Sequence, residues 1–175
     1  MKQFVWVGLC GLFVALLVLA ASHKDKTIID KTIIGRIETV CLPEWGLVVE
    51  AKIDTGAYRA SLHVSRLELL KGKSKRGRRV RFDTSDQHGT IHTLEARVVK
   101  QVRVKSSSGQ VEQRPLIQTR LRIGGQEFDV LVSLTDRSDM RFPMLIGRRF
   151  LKGRFLIDPA QTHTLKNPPC PKNPQ

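Results

Sequence analysis

Aromatic residues are scarce in this chain of 175 residues: Phe, Trp and Tyr together make 6%, with a single tyrosine. Its core must rest on Val, Leu and Ile, and stacked nucleobases would find few platforms. Cysteine is scarce too. Three occur, no two of them as Cys-x-x-Cys, which argues against a structural zinc site. No His-Glu-x-x-His motif is present, and Gly72-Lys73-Ser74 is no phosphate-binding loop, because Leu67 stands where that loop needs its first glycine. No metal or other cofactor is expected. Long helical periodicities are missing while strand patterns recur, so the expected class is all-β, with one domain large enough to bury a core.

Positive charge is abundant. The formal net charge is +14, and seven basic residues fall in KGKSKRGRRVRF, Lys71 to Phe82. No aromatic interleaves that stretch before Phe82, so nucleic acid is not an expected partner. The stretch from Lys71 to Arg81 reads either as a solvated loop or as a patch drawn to an anionic envelope surface. At the N-terminus, Lys2 precedes about 18 mostly apolar residues and the small residues Ala20-Ala21-Ser22. The run reads as a secretory signal cut near Ser22 or as an uncleaved membrane anchor, its length lying at the lower limit for a span. A periplasmic or otherwise exported protein, anchored to the inner membrane if the run is retained, is the expectation. Export implies an oxidising compartment, where Cys41 and Cys170 could pair; the sequence leaves their pairing open. The expected organisation is a signal or anchor helix at 1–22, a spacer at 23–33, one domain at 34–159 and a Pro-rich tail at 160–175 without fixed structure.

Within the domain, LVVEAKI (Leu47 to Ile53) is an apolar-rich strand that delivers Asp54 at its end. Alternating residues on either side of Gly124-Gly125 predict a hairpin over Thr119 to Leu134. Two more strands flank Ser106-Ser107-Ser108-Gly109. FPMLIGRRFL (Phe142 to Leu151) reads as a short strand, a glycine and one helical turn, and RFLIDP ends a last strand at Pro159.

Asp54-Thr55-Gly56 carries the chemistry. A water can be activated by one carboxylate while a second, protonated carboxyl polarises the peptide carbonyl. Two carboxyls about 3 Å apart share one proton because both cannot ionise. Thr55 offers a hydroxyl to lock the loop, and Gly56 lets the backbone approach the shared water. Alone, the triplet is also an ordinary strand-ending turn. Its surroundings strengthen it: Ala57 follows, and Leu145-Ile146-Gly147-Arg148 comes roughly 90 residues later.

In that order of motifs the chain resembles the retropepsins, the single-domain aspartic proteases of retroviruses. It resembles more closely the bacterial retropepsin-like family labelled as ATP-dependent zinc proteases, through LPEWGL, AKIDTGAYRASLH, VRFD, VKSSSGQVEQRPLI and MLIGRRFLKGRFLIDP. The resemblance implies a single acid-protease barrel with one short C-terminal helix over about residues 35–159. It implies Asp54 as the catalytic aspartate with Thr55 and Gly56 completing its loop, supported by Ala57, Gly147 and Arg148. The hairpin tipped by Ser106, Ser107, Ser108 and Gly109 would be the flap that closes on a protein or peptide substrate. A single triplet then requires a homodimer, the second carboxylate being Asp54 of another copy.

Two departures stand out. Viral retropepsins carry an acid where Tyr58 stands, so Arg148 needs another partner, with Asp136, Asp139 and Asp158 as candidates. About thirty extra residues (66–97) separate the triplet from the flap. Ala57 has no hydroxyl to favour the charged carboxylate, which implies activity extending toward near-neutral pH. His63, His88 and His92 read as surface or packed residues rather than ligands. An exported homodimeric aspartic endopeptidase is the leading reading. A peptide- or envelope-binding module on the same fold is the alternative, and a metallopeptidase ranks third.

Overall fold

The computed structural model describes residues 31–70, 78–105 and 109–171. The N-terminal apolar run, most of the expected spacer, residues 71–77 of the basic stretch, the Ser106-Ser107-Ser108 tip and residues 172–175 lie outside the described residues.

Alternation shapes β3 (Leu47–Asp54): Leu47, Val49, Ala51 and Ile53 are buried while Val48, Glu50 and Lys52 face outward. Alternation also appears in parts of β2 (Ile37–Leu42), β8 (Val111–Ile123), β9 (Gln126–Thr135) and β10 (Met144–Gly147), whereas β4 (Ala60–His63) is buried on both faces from Ala60 to Leu62. These six close into a barrel in the order β2-β3-β10-β4-β9-β8, with Cys41 on β2 meeting Arg122 on β8 to complete the ring. Closure removes the open edges that an isolated sheet would expose. Among the described residues the fold is all-β as expected, with one short helix, α1 (Arg148–Leu151).

Gly124 and Gly125 make the turn between β8 and β9 with φ of 58° and 80°, the left-handed pair a two-residue hairpin needs. Strand β7 (Ile91–Lys105) pairs with β8 up to Lys105↔Val111, so the expected hairpin beyond it is present, with a register shift between Val98 and Lys100. Strands β5 (Arg66–Leu70) and β6 (Arg79–Ser85) continue the sheet outward from β7. They account for the residues that separate the triplet from the hairpin.

Aliphatic side chains fill the barrel, among them Leu42, Leu47, Leu62, Ile117, Leu121, Leu134 and Ile146, all nearly inaccessible to solvent. Each contributes about 1.5–3 kcal/mol by burial. Three of the few aromatics cluster, Phe128 packing edge-on to Phe150 and Phe155 at 5.4 and 6.0 Å between ring centroids, while Trp45 and Phe82 form a separate edge-on pair at 5.9 Å.

Both ends of the domain differ from expectation. A strand begins within the expected spacer: β1 (Thr32–Gly35) pairs with β11 (Phe155–Asp158) as a separate two-stranded ribbon. The tail expected to lack fixed structure lies along the barrel as far as residue 171. Its physical reason is a buried acid. Glu38 accepts hydrogen bonds from the amides of Gly35 (2.7 Å), Thr164 (3.1 Å) and Leu165 (3.3 Å) and from the Thr164 hydroxyl (2.6 Å). Asn167 then bridges the Thr39 carbonyl and the Gly124 amide, and Cys170 forms a disulfide with Cys41. Among the described residues no helix is long and apolar enough to cross a membrane.

Candidate active site

Parallel pairing of β3 with β10 sets Ile53 beside Ile146 and Asp54 beside Gly147. The C-terminal ends of two neighbouring strands therefore deliver the triplet and the Gly-Arg segment to one place. Gly147 permits this because its backbone nearly touches the triplet loop. A Cβ there would lie 2.6 Å from the Arg59 carbonyl oxygen and 2.8 Å from that of Ala57. The amides of Arg148 and Arg149 donate to the Ala57 and Tyr58 carbonyls at 2.8 and 3.1 Å. The loop is thus held from behind by backbone hydrogen bonds.

Asp54 Oδ1 accepts the amide hydrogens of Gly56 (2.9 Å) and Ala57 (3.2 Å). Its Oδ2 lies 4.0 Å from Lys52 Nζ, and the carboxylate remains partly open to solvent. One oxygen is thereby fixed and the other is available for a water. The structure brings Asp54, Thr55, Gly56, Ala57, Gly147 and Arg148 together. Thr55 is exposed and shares a hollow with Tyr58, Arg148, Leu151, Phe155 and Ile157. Gly109, with φ of 88°, stands at the described edge of the hairpin tip, whereas Ser106, Ser107 and Ser108 fall outside the described residues.

None of the three acids proposed for Arg148 pairs with it. Asp136 accepts the Ser138 amide and lies 3.6 Å from His63, Asp158 holds Ala160 and Gln161, and Asp139 is exposed on its loop. Arg148 instead donates to the Gly56 carbonyl at 3.0 Å and lies over the Tyr58 ring at 5.5 Å. The tyrosine that replaces the viral acid takes over its partner through its π face. His92 is engaged with Asp86 at 3.1 Å. That contact, helped by burial-opposed backbone bonds from Thr90 and His88, lowers Asp86 to a pKa of about 2.

A groove of about 390 Å³ runs from Gly56 and Ala57 under the β7–β8 hairpin. Arg59, Arg103, Lys105, Arg114 and Arg137 all line it; Arg114 pairs with Glu112 at 2.7 Å, and among the described residues no acidic side chain lines the groove itself. Arg137 donates to Ser61 Oγ at 3.1 Å and to the Phe142 carbonyl at 3.4 Å. Burial and the nearby Arg114 pull its guanidinium below the usual range, while the charge of Asp54 pushes the other way. The sequence reading missed these five. They are scattered over four segments, and each looked like an ordinary strand or turn residue.

A closed six-stranded barrel with one Asp-Thr-Gly loop backed by a Gly-Arg helix start defines a retropepsin-like protein. The model of the RimB-like family, described as retropepsin-like aspartic endopeptidase RimB, matches residues 33–168, and the chain belongs to that family. It is 29% identical over 140 residues to a protein of Shewanella halifaxensis named probable alpha-L-glutamate ligase, covering 78% of this chain and 30% of that one. A protein of the same name from Parasynechococcus marenigrum is 31% identical over 139 residues, with 77% and 29% covered. The chain thus spans about 30% of the length of these curated relatives. A crystal structure of a Legionella pneumophila protein of unknown function superposes with a TM-score of 0.65 at 29% identity, covering 77% of this chain and 98% of that one.

Proposed function

We propose that the chain is an aspartic endopeptidase whose active centre forms when two copies bring their Asp54 carboxylates together across a two-fold axis. The observation that carries this reading is the Asp54 carboxylate, one oxygen held by two amides and the other open, on a loop braced by Gly147 and Arg148. One Asp54 takes a proton from water as its oxygen attacks the scissile carbonyl, and the other, protonated, donates to the carbonyl oxygen. Collapse breaks the C–N bond, a carboxyl proton goes to the leaving amine, and the pair regains its shared proton.

The substrate is an acidic polypeptide. Five cations line the groove, of which Arg114 alone pairs with an acid among the described residues, Glu112 at 2.7 Å. This excess of positive charge favours carboxylate side chains, and the longer relatives are named probable alpha-L-glutamate ligase, a name that points to the same side chain. Export of the chain, which the N-terminal run suggests, is supported by the Cys41–Cys170 disulfide. Attraction of the Lys71 to Arg81 stretch to an anionic envelope surface belongs to the same reading.

Purified protein should cut a Glu-rich unstructured peptide at least about tenfold faster, by kcat/KM, than its Gln-substituted counterpart. Asp54→Asn should abolish cleavage, chelator should leave it unchanged, and sedimentation should show the active species as a dimer. Cleavage that survives Asp54→Asn, or a strict monomer that still cuts, would refute the mechanism. Tight peptide binding without any cutting would favour the binding-module reading.

A further inference from the structure

His63 ends β4 two residues after Ser61, on the strand that leaves the triplet loop. Its main chain is fixed on both sides: its amide donates to the Pro143 carbonyl at 2.7 Å, and its carbonyl accepts the Thr84 hydroxyl at 2.8 Å. The imidazole is largely covered, and its Nδ1 accepts the backbone N–H of Arg137 at 2.9 Å. An Nδ1 that accepts a hydrogen bond carries no proton, so this contact exists only for the neutral ring. The same Nδ1 lies 3.6 Å from Asp136 Oδ1. Two neighbouring groups therefore compete for one ring atom, a donor for its neutral form and a carboxylate for its charged form.

We propose that His63 is a proton-sensitive positioning residue for substrate binding: its neutral imidazole holds Arg137 in the groove beside Asp54, and its protonation transfers the ring to Asp136 and releases Arg137. This rests on the reading of the groove as the site for an acidic substrate.

Other charged groups facing His63 across a hollow of about 290 Å³ are Glu50 from β3, Asp86 from the turn after β6, and Arg137 and Arg141 from the loop after β9. Glu50 is engaged by His163 at 2.9 Å, and Asp86 by His92 at 3.1 Å and by two backbone amides. Asp136 is left as the carboxylate within reach. Hydrogen bonds from the Ser138 backbone and hydroxyl hold Asp136 below the usual carboxylate range, so it is charged wherever the imidazolium forms. The Arg137 guanidinium donates to Ser61 Oγ and the Phe142 carbonyl, so a shift of its backbone would disturb both contacts. Free imidazole changes charge within roughly pH 5–8, which sets the range over which the test is run.

The test uses the full chain and two peptides that share a scissile sequence and differ only in Glu or Gln flanks. For the wild type, kcat/KM on the Glu peptide should fall at least about tenfold from neutral pH to about pH 5.5, mainly through KM, while the Gln peptide changes far less. His63→Asn places an amide oxygen where Nδ1 stood and accepts the Arg137 N–H at every pH. It should flatten that limb, whereas His63→Ala should have low Glu-peptide affinity throughout. Arg137→Gln should remove the Glu preference and make a second change at His63 silent. A pH profile of His63→Asn identical to wild type would overturn the proposal.

An independent reading comes from NMR of protein carrying ¹⁵N-labelled arginine and ¹³C-labelled histidine. The Arg137 amide resonance should titrate with the His63 ring and cease to do so in His63→Asn; an amide indifferent to the ring sinks the idea, whatever the kinetics. Should wild type and Asp54→Asn be equally inactive on both peptides, the endopeptidase reading fails and the amide titration alone decides whether the device stands.

Discussion

Tyr58 lies between two guanidiniums, with Arg59 at 5.0 Å and Arg148 at 5.5 Å from its ring centroid. Exposed cation–π contacts are worth about 0.5–1 kcal/mol each. Tyr58→Ala should lower the melting temperature by a few degrees, and Tyr58→Phe, which keeps the ring, should match wild type; thermal denaturation followed by circular dichroism checks both. A melting temperature unchanged in Tyr58→Ala would mean the stack contributes nothing. The Arg148–Gly56 hydrogen bond remains in either variant, so the triplet loop should keep its shape. At this scale, what the sequence made legible was what lies in contiguous strings. Asp54-Thr55-Gly56-Ala57 and Gly147-Arg148 could be read as a unit because each string is local and strand-terminal. The partner of Arg148 could not, since an acid anywhere in the chain was an equally good candidate until side-chain directions were known. Arg137 was hidden for the same reason, in a loop whose residues look like turn formers.

Among the elements, β10 and α1 bear most directly on the site. Gly147→Ala would place a methyl group 2.6 Å from a backbone oxygen and 2.7 Å from its carbon, neither of which can rotate aside. Overpacking of this kind costs about 1–3 kcal/mol, and the strain falls on the loop that carries Asp54. Urea denaturation should show that loss, and peptide cleavage should fall further than the stability change alone explains. Wild-type stability and activity in Gly147→Ala would contradict the close approach of the two segments. Individual strands were readable from period-two alternation, as in β3 and in β8–β9 with its paired glycines. Barrel closure was not, because the contact of Cys41 with Arg122 joins strands about eighty residues apart and has no local signature. Nor was the register shift between Val98 and Lys100, which depends on how β7 bends over its neighbour.

For the molecule as a whole, the tail was the largest surprise, since a Pro-rich composition gave no sign of a partner. Its anchor is a charge inside the fold: Glu38 is fully buried and is satisfied mainly by the tail's own amides and hydroxyl. The disulfide secures the end of that strap across a sequence separation of 129. Cross-links that close long loops typically stabilise by about 2–4 kcal/mol. Cys170→Ser should therefore lower the melting temperature by several degrees, and reductant should bring wild type to the same value while leaving the variant unmoved. If reductant shifted both equally, another cause would be at work. The bond has a further consequence. It turns residues 41–170 into a covalent macrocycle that contains every residue of the candidate site and groove named above. A single self-inflicted cut anywhere inside that ring linearises it without releasing a fragment, so a nicked molecule stays whole until its sulfurs are reduced.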